Sequence, residues 1–371
     1  GMVAILFNAV AAVALSSAAA APKNALRTLF NRDAGDILAC PVDKAPLRRE
    51  TSVIGGIRRE RAVSSTGVVY PVNRLYADLL PTAGRSEDTF STIGLDQLRE
   101  ELTDAWGSRV QTGLFRSPFT AFLYERGWRQ GFANAGFPGI DAEFEEVNSF
   151  FAPAAGGIVV DMSCGSGLMT RRLVSSGAYR QVYALDYSEA MLQETMRRIR
   201  EEGVPTDSLT LCRADVAALP LQPASIDAMH AGAAMHCWPR LEDGLQQIRQ
   251  SLKPGGRFFA TTFFQQAYGE NTPSMSGGPN AFRFFADEAE LTDLLVKAGF
   301  PLDGLSVRRE GRGCAIIRAE VPLPGDDAQV ADEDLSSGAT EVMESPVGAE
   351  DGSEAASAPS DVAWSVLEDM E

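Results

Sequence analysis

From residue 110 to residue 320, short apolar runs alternate with longer stretches that have the periodicity of amphipathic helices. A helix between two strands favours parallel pairing, because the chain must cross back before it can run in the same direction again. The predicted strands are 157–161, 182–186, 209–213, 226–230 and 257–263, and the predicted helices are 168–176, 188–202 and 241–252. We therefore predict an α/β fold with a doubly wound, mostly parallel sheet, in which these five strands and the two hairpin strands of the next paragraph make a seven-stranded sheet.

The last part of this region predicts how the sheet is completed. Asp287 and Glu290 have the spacing of a capping box, and the helix that they begin is expected to stop at Gly299. The segments 305–310 and 314–320 flank a Gly-Arg-Gly turn and predict a hairpin at the sheet edge. The Lys-Pro-Gly-Gly run at 253–256 predicts a turn before the fifth strand.

Composition divides the rest of the chain into separate segments. Residues 1–35 resemble a targeting segment, because they are Ala-rich and their basic residues follow the apolar run; a membrane-spanning helix is the competing interpretation. Residues 36–82 predict a small β-rich module, and residues 83–109 a connector. Residues 321–371 hold 14 acidic residues and no Lys or Arg, which predicts a disordered acidic tail. Without this tail the net charge of −17 falls to −3, which argues against a DNA-binding protein.

Four features of the main domain are predicted to meet at one edge of the sheet, since ligands of doubly wound sheets bind at the carboxyl ends of the strands. Asp161 ends the first strand and is followed by Gly165 and Gly167, which let the backbone approach a ligand. Asp186 ends the second strand and can accept hydrogen bonds from a ribose diol. Asp215 and Val216 follow the third strand and suit an adenine edge, and His230 ends the fourth. Each carboxylate alone could be only a helix cap, but together they predict a nucleoside site.

The glycine loop discriminates between two nucleoside cofactors. A dinucleotide fingerprint needs a third glycine, and Thr170 occupies that position. Asp161 would repel a pyrophosphate but suits a ligand that carries an ammonium and a sulfonium group. We therefore predict S-adenosylmethionine as the cofactor.

Several motifs of the chain also resemble a known family. They are DMSCGSG at 161–167, ALDYS at 184–188, RAD at 213–215, DAMHAGAAMHCWP at 227–239 and LKPGG at 252–256, together with FRSP at 115–118, YERGWRQ at 124–130 and GFPG at 136–139. They resemble class I methyltransferases, in particular the uncharacterised chloroplast methyltransferases of plants and algae that are related to the ubiquinone/menaquinone methyltransferases. The resemblance covers residues 36–320. It implies a Rossmann-like methyltransferase fold and a plastid location, at plastoglobules or thylakoids.

The small module is similar to the zinc-ribbon-like domain that precedes such methyltransferases. Cys40 stands where the first cysteine of a zinc knuckle is expected, but Asp43 stands in place of the second. The region 63–69 contains no cysteine, and one thiolate with one carboxylate does not make a four-ligand zinc site. We predict a degenerate zinc-ribbon-like module, without a metal.

Specific residues are predicted to bind the cofactor and to assist the reaction. Methyl transfer depends largely on positioning, and a general base is needed only if the acceptor keeps its proton. His236 is the candidate base, although it could instead be a structural residue at a helix start, as could His230 in its strand. The predicted cofactor-binding residues are Asp161, Ser163, Gly165, Gly167, Asp186, Tyr187, Asp215, Val216, His230 and Arg126, and the predicted catalytic residue is His236.

Three functions remain open at this stage. The leading hypothesis is methyl transfer to a small, apolar plastid metabolite such as a prenylquinone, with peripheral association with plastid membranes or plastoglobules. An RNA methyltransferase is the second, and the nearly neutral body does not favour it. The third is a catalytically idle scaffold or assembly factor that keeps the fold.

Overall fold

The computed structural model describes residues 37–54, 57–86, 132, 135–268 and 283–324. By its contacts the chain divides after Pro324, and every described residue precedes that point. The predictions for the targeting-like segment, for most of the connector, for Arg126 and for the acidic tail after Pro324 lie outside the described residues.

The described residues form twelve strands and five α-helices. The strands are β1 (Leu47–Ile54), β2 (Ile57–Ser64), β3 (Val68–Val72), β4 (Ala77–Asp78), β5 (Arg85–Ser86), β6 (Ile158–Met162), β7 (Gln181–Asp186), β8 (Leu209–Arg213), β9 (Ile226–Ala231), β10 (Leu252–Phe263), β11 (Leu305–Glu310) and β12 (Cys314–Glu320). The helices are α1 (Ile140–Phe150), α2 (Leu168–Ser175), α3 (Glu189–Glu202), α4 (Leu241–Ser251) and α5 (Glu288–Lys297). Short 3-10 helices include Val216–Ala218 and Met235–Cys237.

All twelve strands belong to one sheet, in the order β1-β2-β3-β4-β8-β7-β6-β9-β10-β12-β11, with β5 beside β3. The strands from β8 to β10 are parallel, and the hairpin of β11 and β12 closes that side antiparallel, as predicted. The predicted number of seven strands is wrong for the whole sheet. The seven neighbouring strands β8-β7-β6-β9-β10-β12-β11 are present in the sheet. In addition, β4 pairs in parallel with β8 and joins the strands of the small module to them.

Local signals account for most element boundaries. The Ser188 hydroxyl accepts a hydrogen bond from the Met191 amide at 3.4 Å and begins α3, as predicted. Asp287 caps α5 through the Glu290 amide at 2.9 Å, which confirms the predicted helix start. The predicted turn at 253–256 is wrong as a boundary. These residues lie inside β10 as an irregularity in its pairing with β9, because the strand already begins at Leu252.

Buried side chains cover both faces of the sheet. Val159 and Val160 are neighbours in β6 and belong to different core clusters, because successive strand residues point to opposite faces. Leu38 and Tyr70 of the small module share one of these clusters with Val160. The module therefore shares a hydrophobic core with the main domain as well as a sheet. No helix within the described residues is both long enough and apolar enough to span a membrane.

Candidate functional site

A cavity of about 250 Å³ lies at the carboxyl edge of the central strands. β6 and β9 both end at this edge, since Asp161 is paired in register with His230. The wall is formed by the loop after β6, by the end of β9 and by α1 with the residues before it. The described residues that line it are Phe132, Phe137, Gly139, Ile140, Glu143, Asp161, Ser163, Cys164, Gly165, Ser166, Leu168, Met169, His230, Gly232 and Ala233.

The loop after β6 is held by side chains from three other parts of the fold. Ser163 and Gly165 both have a φ of 56°, in the left-handed region. The Gly165 amide donates to Asp186 Oδ2 at 2.8 Å, and the Thr195 hydroxyl donates to the Gly165 carbonyl at 2.7 Å. Trp238 Nε1 donates to the Ser163 hydroxyl at 3.0 Å. The end of β7, the helix α3 and the segment after β9 thus fix the loop against the cavity.

Asp186 ends β7 and is only 8% exposed. Burial raises the pKa of its carboxyl to about 6, although the hydrogen bonds from the Ser188 and Gly165 amides act in the opposite direction. The carboxylate is therefore ionised at neutral pH. Each oxygen accepts one backbone hydrogen bond and keeps a second acceptor direction, which suits a ligand with hydroxyl groups.

The other residues predicted for the nucleoside lie outside the cavity wall, after β7 and β8. Asp215 Oδ2 is 2.9 Å from Arg240 Nη2, and its other oxygen caps the short helix that begins with Val216. The Tyr187 ring is 37% exposed and lies 5.8 Å from the Arg213 guanidinium. The structure thus brings Asp161, Ser163, Gly165 and His230 together in the cavity wall, but not Asp186, Tyr187, Asp215 or Val216.

Gly167 has a different local role from Gly165. It precedes α2 with a φ of 76°, and a Cβ atom at this position would lie 2.5 Å from Thr195 Cγ2. A glycine is therefore needed where the start of α2 packs against α3. A Cβ atom at Gly165 would meet no atom of the described residues within 4 Å, so that this residue borders open space in that part of the structure.

A buried chain of polar groups forms the floor of the cavity. His230 Nδ1 lies 2.8 Å from Asp161 Oδ1, and His230 Nε2 lies 3.2 Å from Glu143 Oε1. The Thr170 hydroxyl donates to the second oxygen of Asp161, and the Thr261 hydroxyl donates to Glu143 Oε1 at 3.2 Å. These contacts join β6, β9, β10, α1 and α2 at one point.

The two carboxylates decide the charge of His230. Burial opposes a charge on the ring, but the hydrogen bonds to Asp161 and Glu143 outweigh it and raise the pKa of His230 to about 9. The ring is an imidazolium at neutral pH and donates to both carboxylates.

Glu143 is a site residue that the sequence prediction missed. It lies in the first turn of α1, where an acidic residue is ordinarily explained by the helix dipole. Glu143 follows Ile140 by three residues and precedes Val147 by four, and this spacing places all three on one helix face. The spacing is the signal that could have identified Glu143 from the sequence. An acidic residue on an apolar helix face indicates a buried partner, which is His230.

His236 lies in an aromatic environment away from the cavity wall. Its ring is edge-on to Phe263 at 4.8 Å and stacked on Phe284 at 6.2 Å between centroids. Burial lowers the pKa of His236 to about 3, so that the ring is neutral at physiological pH. A general base is most effective when its pKa lies near the working pH, and this environment does not favour that role. The role of His236 stays a prediction.

The two histidines of the chain are expected to titrate differently. In a nuclear magnetic resonance titration of the ring protons, His230 should change charge near pH 9, while His236 should stay neutral down to pH values far below 6. The variants His230→Gln and His236→Gln assign the two signals. Two signals that both titrate near 6.5, the ordinary value for histidine, would contradict the buried cluster.

The knuckle of the small module is held by hydrogen bonds. The Cys40 thiol lies 3.1 Å from the Tyr70 hydroxyl, and Asp43 accepts hydrogen bonds from the Thr66 hydroxyl at 2.6 Å and the Ala45 amide at 3.0 Å. In the part of the chain that the structure describes, no group of three or more His, Cys, Asp and Glu residues is placed to hold a metal ion.

Comparison with known proteins relates the central part of the chain to a protein family. Residues 159–256 match the family model described as a methyltransferase domain. Two proteins of Arabidopsis thaliana, both named uncharacterized chloroplastic methyltransferases, are 40% identical over 239 residues and 41% identical over 198 residues. The alignments cover 64% and 51% of this chain, and 64% and 56% of the relatives. The chain thus spans less than two thirds of the length of either relative.

Solved structures of methyltransferases are similar at low sequence identity. One from Aquifex aeolicus, described as dependent on S-adenosylmethionine, is 17% identical with a TM-score of 0.42, and the match covers 55% of this chain and 98% of that one. A phosphoethanolamine N-methyltransferase from Haemonchus contortus is 15% identical with a TM-score of 0.46, covering 56% and 60%. The family match and the identity with the plant proteins agree: residues 159–256 of this chain are similar to a methyltransferase domain.

Proposed function

We propose that the protein transfers the methyl group of S-adenosylmethionine to a small acceptor molecule. The observation that carries the proposal is the loop after β6, where Gly165 borders open space in the cavity wall and donates its amide to Asp186. The backbone at a glycine can approach a ligand closely, because no side chain stands between them. The carboxylate at the end of the next strand can accept hydrogen bonds from hydroxyl groups of the ligand. The methyltransferase domain match covers the same loop.

The charges around the cavity fit this cofactor better than a dinucleotide. The described wall contains Asp161 and Glu143 with one imidazolium, His230, and no Lys or Arg. A net negative wall suits the ammonium and sulfonium groups of S-adenosylmethionine and repels a pyrophosphate. We assign Asp186 to the ribose, Asp215, Val216 and Tyr187 to the adenine side, and Asp161, Ser163, Gly165 and His230 to the amino-acid side. Gly167 supports the loop, and Arg126 is proposed as a partner of the cofactor carboxylate.

The protein's part in catalysis is to position the reactants and to exclude water. When bound, the cofactor supplies an electrophilic methyl group, and transfer is an in-line displacement that gains most from fixed geometry. The low pKa of His236 argues against its acting as a strong base. A site without a strong base suits an acceptor that has already lost its proton or needs no base.

An apolar acceptor is proposed from the aromatic side chains next to the cavity. Phe137 in the wall packs on Phe263 at 4.5 Å, and Phe263 contacts the neutral ring of His236. A demethylmenaquinone methyltransferase of Clavibacter sepedonicus is 33% identical over 112 residues, which is 30% of this chain and 43% of that protein. Both observations support a prenylquinone-like substrate. The chloroplastic plant relatives support a plastid location, with peripheral association with plastid membranes or plastoglobules.

Calorimetric titration of the full chain with S-adenosylhomocysteine tests the proposal. We expect a dissociation constant in the micromolar range, about −8 kcal/mol, and no comparable affinity for NAD. Asp186→Asn is expected to weaken binding, since the ribose loses a charged acceptor, whereas Asp303→Asn on the exposed turn before β11 serves as the control. A folded protein without affinity for S-adenosylhomocysteine would contradict the proposal and favour an idle scaffold.

A further inference from the structure

The floor of the cavity carries more negative than positive charge. Asp161, Glu143 and His230 have side-chain exposures of 2%, 10% and 4%, so that all three are removed from bulk water. One imidazolium between two carboxylates leaves a net charge of −1. A buried charge is costly unless an opposite charge is paired with it, and the described cavity wall offers no Lys or Arg. A cationic ligand group would complete the arrangement.

Asp161 and Glu143 differ in the number of carboxylate oxygens that remain available to a cationic group of the ligand. Both oxygens of Asp161 are bonded within the protein, one to His230 and one to the Thr170 hydroxyl. Glu143 uses only Oε1, which accepts from His230 and Thr261. Among the described residues, no donor contacts Glu143 Oε2, and Glu143 lies in the cavity wall. The carboxylate oxygen that is open to a cationic group is therefore Oε2 of Glu143 in α1, and not an oxygen of Asp161 in β6.

A second polar group in the same wall has no partner among the residues that the structure describes. Ser166 is 2% exposed, and its hydroxyl makes no hydrogen bond with any described residue. A buried hydroxyl without a partner costs free energy, which a ligand acceptor can recover. An open carboxylate oxygen and an unpaired hydroxyl in one cavity match the ammonium and the carboxylate of an α-amino-acid group.

We propose that Glu143 binds the α-ammonium group of the amino-acid part of the cofactor through Oε2, while His230 and Thr261 hold Oε1. This inference rests on the proposed function, because it assigns a residue to the cofactor of that function. Glu143 is then a binding residue contributed by α1, which lies outside the segment 159–256 that matches the methyltransferase domain. Ser166 is the corresponding hydroxyl for the ligand carboxylate.

Two ligands that differ only in the amino-acid part give the test. S-adenosylhomocysteine carries the α-amino-acid group, whereas 5′-methylthioadenosine keeps the nucleoside and the thioether without it. Calorimetric titration of the full chain should show that Glu143→Gln weakens S-adenosylhomocysteine about tenfold or more, because a charge-assisted hydrogen bond is lost. Binding of 5′-methylthioadenosine should change by less than about twofold, since that ligand makes no contact with Glu143. Ser166→Ala should show the same selectivity with a smaller loss.

Glu146→Gln is the matched control on the same helix. Glu146 pairs with Arg308 at 2.7 Å and with Arg318 at 2.8 Å, outside the cavity wall, and its substitution should leave both affinities unchanged. An equal loss for both ligands in Glu143→Gln, or no loss for either, would overturn the inference while the proposed function stands. If the wild-type chain bound neither ligand, the proposed function and this inference would both be overturned.

Discussion

Gly165→Ala is expected to weaken the binding of S-adenosylhomocysteine about 10- to 100-fold while the protein stays folded. A Cβ atom at this position meets no atom of the residues that the structure describes within 4 Å, so that the new methyl group enters the cavity instead of the core. The left-handed φ of 56° adds a backbone cost of about 1 kcal/mol. Calorimetric titration measures the affinity, and thermal unfolding measures the stability.

Gly177→Ala is the matched control for this experiment. Gly177 has a φ of 63°, and within the described part of the chain its Cβ would also meet no atom within 4 Å. It lies between α2 and β7, where the chain enters β7 at the amino edge of the sheet, opposite the cavity. The backbone cost should therefore be similar and the affinity unchanged. If Gly165→Ala and Gly177→Ala bound S-adenosylhomocysteine equally well, the ligand would not approach the loop after β6.

The contribution of His230 to the stability of the protein is expected to fall by about 3 kcal/mol as the pH rises from 6 to above 9, and this part of the pH dependence should be absent in His230→Gln. The folded-state pKa of His230 is about 9, above the ordinary value of 6.5. A histidine whose pKa is higher in the folded than in the unfolded state stabilises the fold fully at pH values below its unfolded-state pKa. This contribution is lost as the pH rises through the folded-state pKa. Urea unfolding of both proteins at a series of pH values gives the difference in the free energy of unfolding.

The difference between the two proteins isolates His230 from other titrating groups. Burial raises the pKa of the Cys237 thiol to about 12, so that the unfolded state loses this proton first and stability falls at high pH. That effect is present in both proteins and cancels in the difference. The carboxyl of Asp186 has a folded-state pKa of about 6, so that it adds a change only at the lower end of the range, and that change also cancels in the difference. A difference that stays constant from pH 6 to 10 would mean that His230 is not charged in the fold.

Local signals in the sequence determined most of the secondary structure. The hairpin strands Leu305–Glu310 and Cys314–Glu320 have the predicted bounds, because the glycine turn and the alternation of side chains are both local. Ser188 and Asp287 begin their helices for the same reason. The meeting of Asp161 with His230 could also be predicted, since the carboxyl ends of parallel strands must lie at one edge.

Tertiary contacts decided the extent of the sheet, the role of Glu143 and the charge states of the two histidines, because no local sequence pattern contains them. The extension of the sheet depends on the pairing of Ala77 with Cys212, two residues that are far apart in the chain. The role of Glu143 depends on a hydrogen bond to a histidine 87 residues away. The two histidines are chemically identical in the sequence, and only their surroundings separate them. His230 lies between two carboxylates that hold a proton on it, whereas His236 lies among aromatic rings that favour its neutral form.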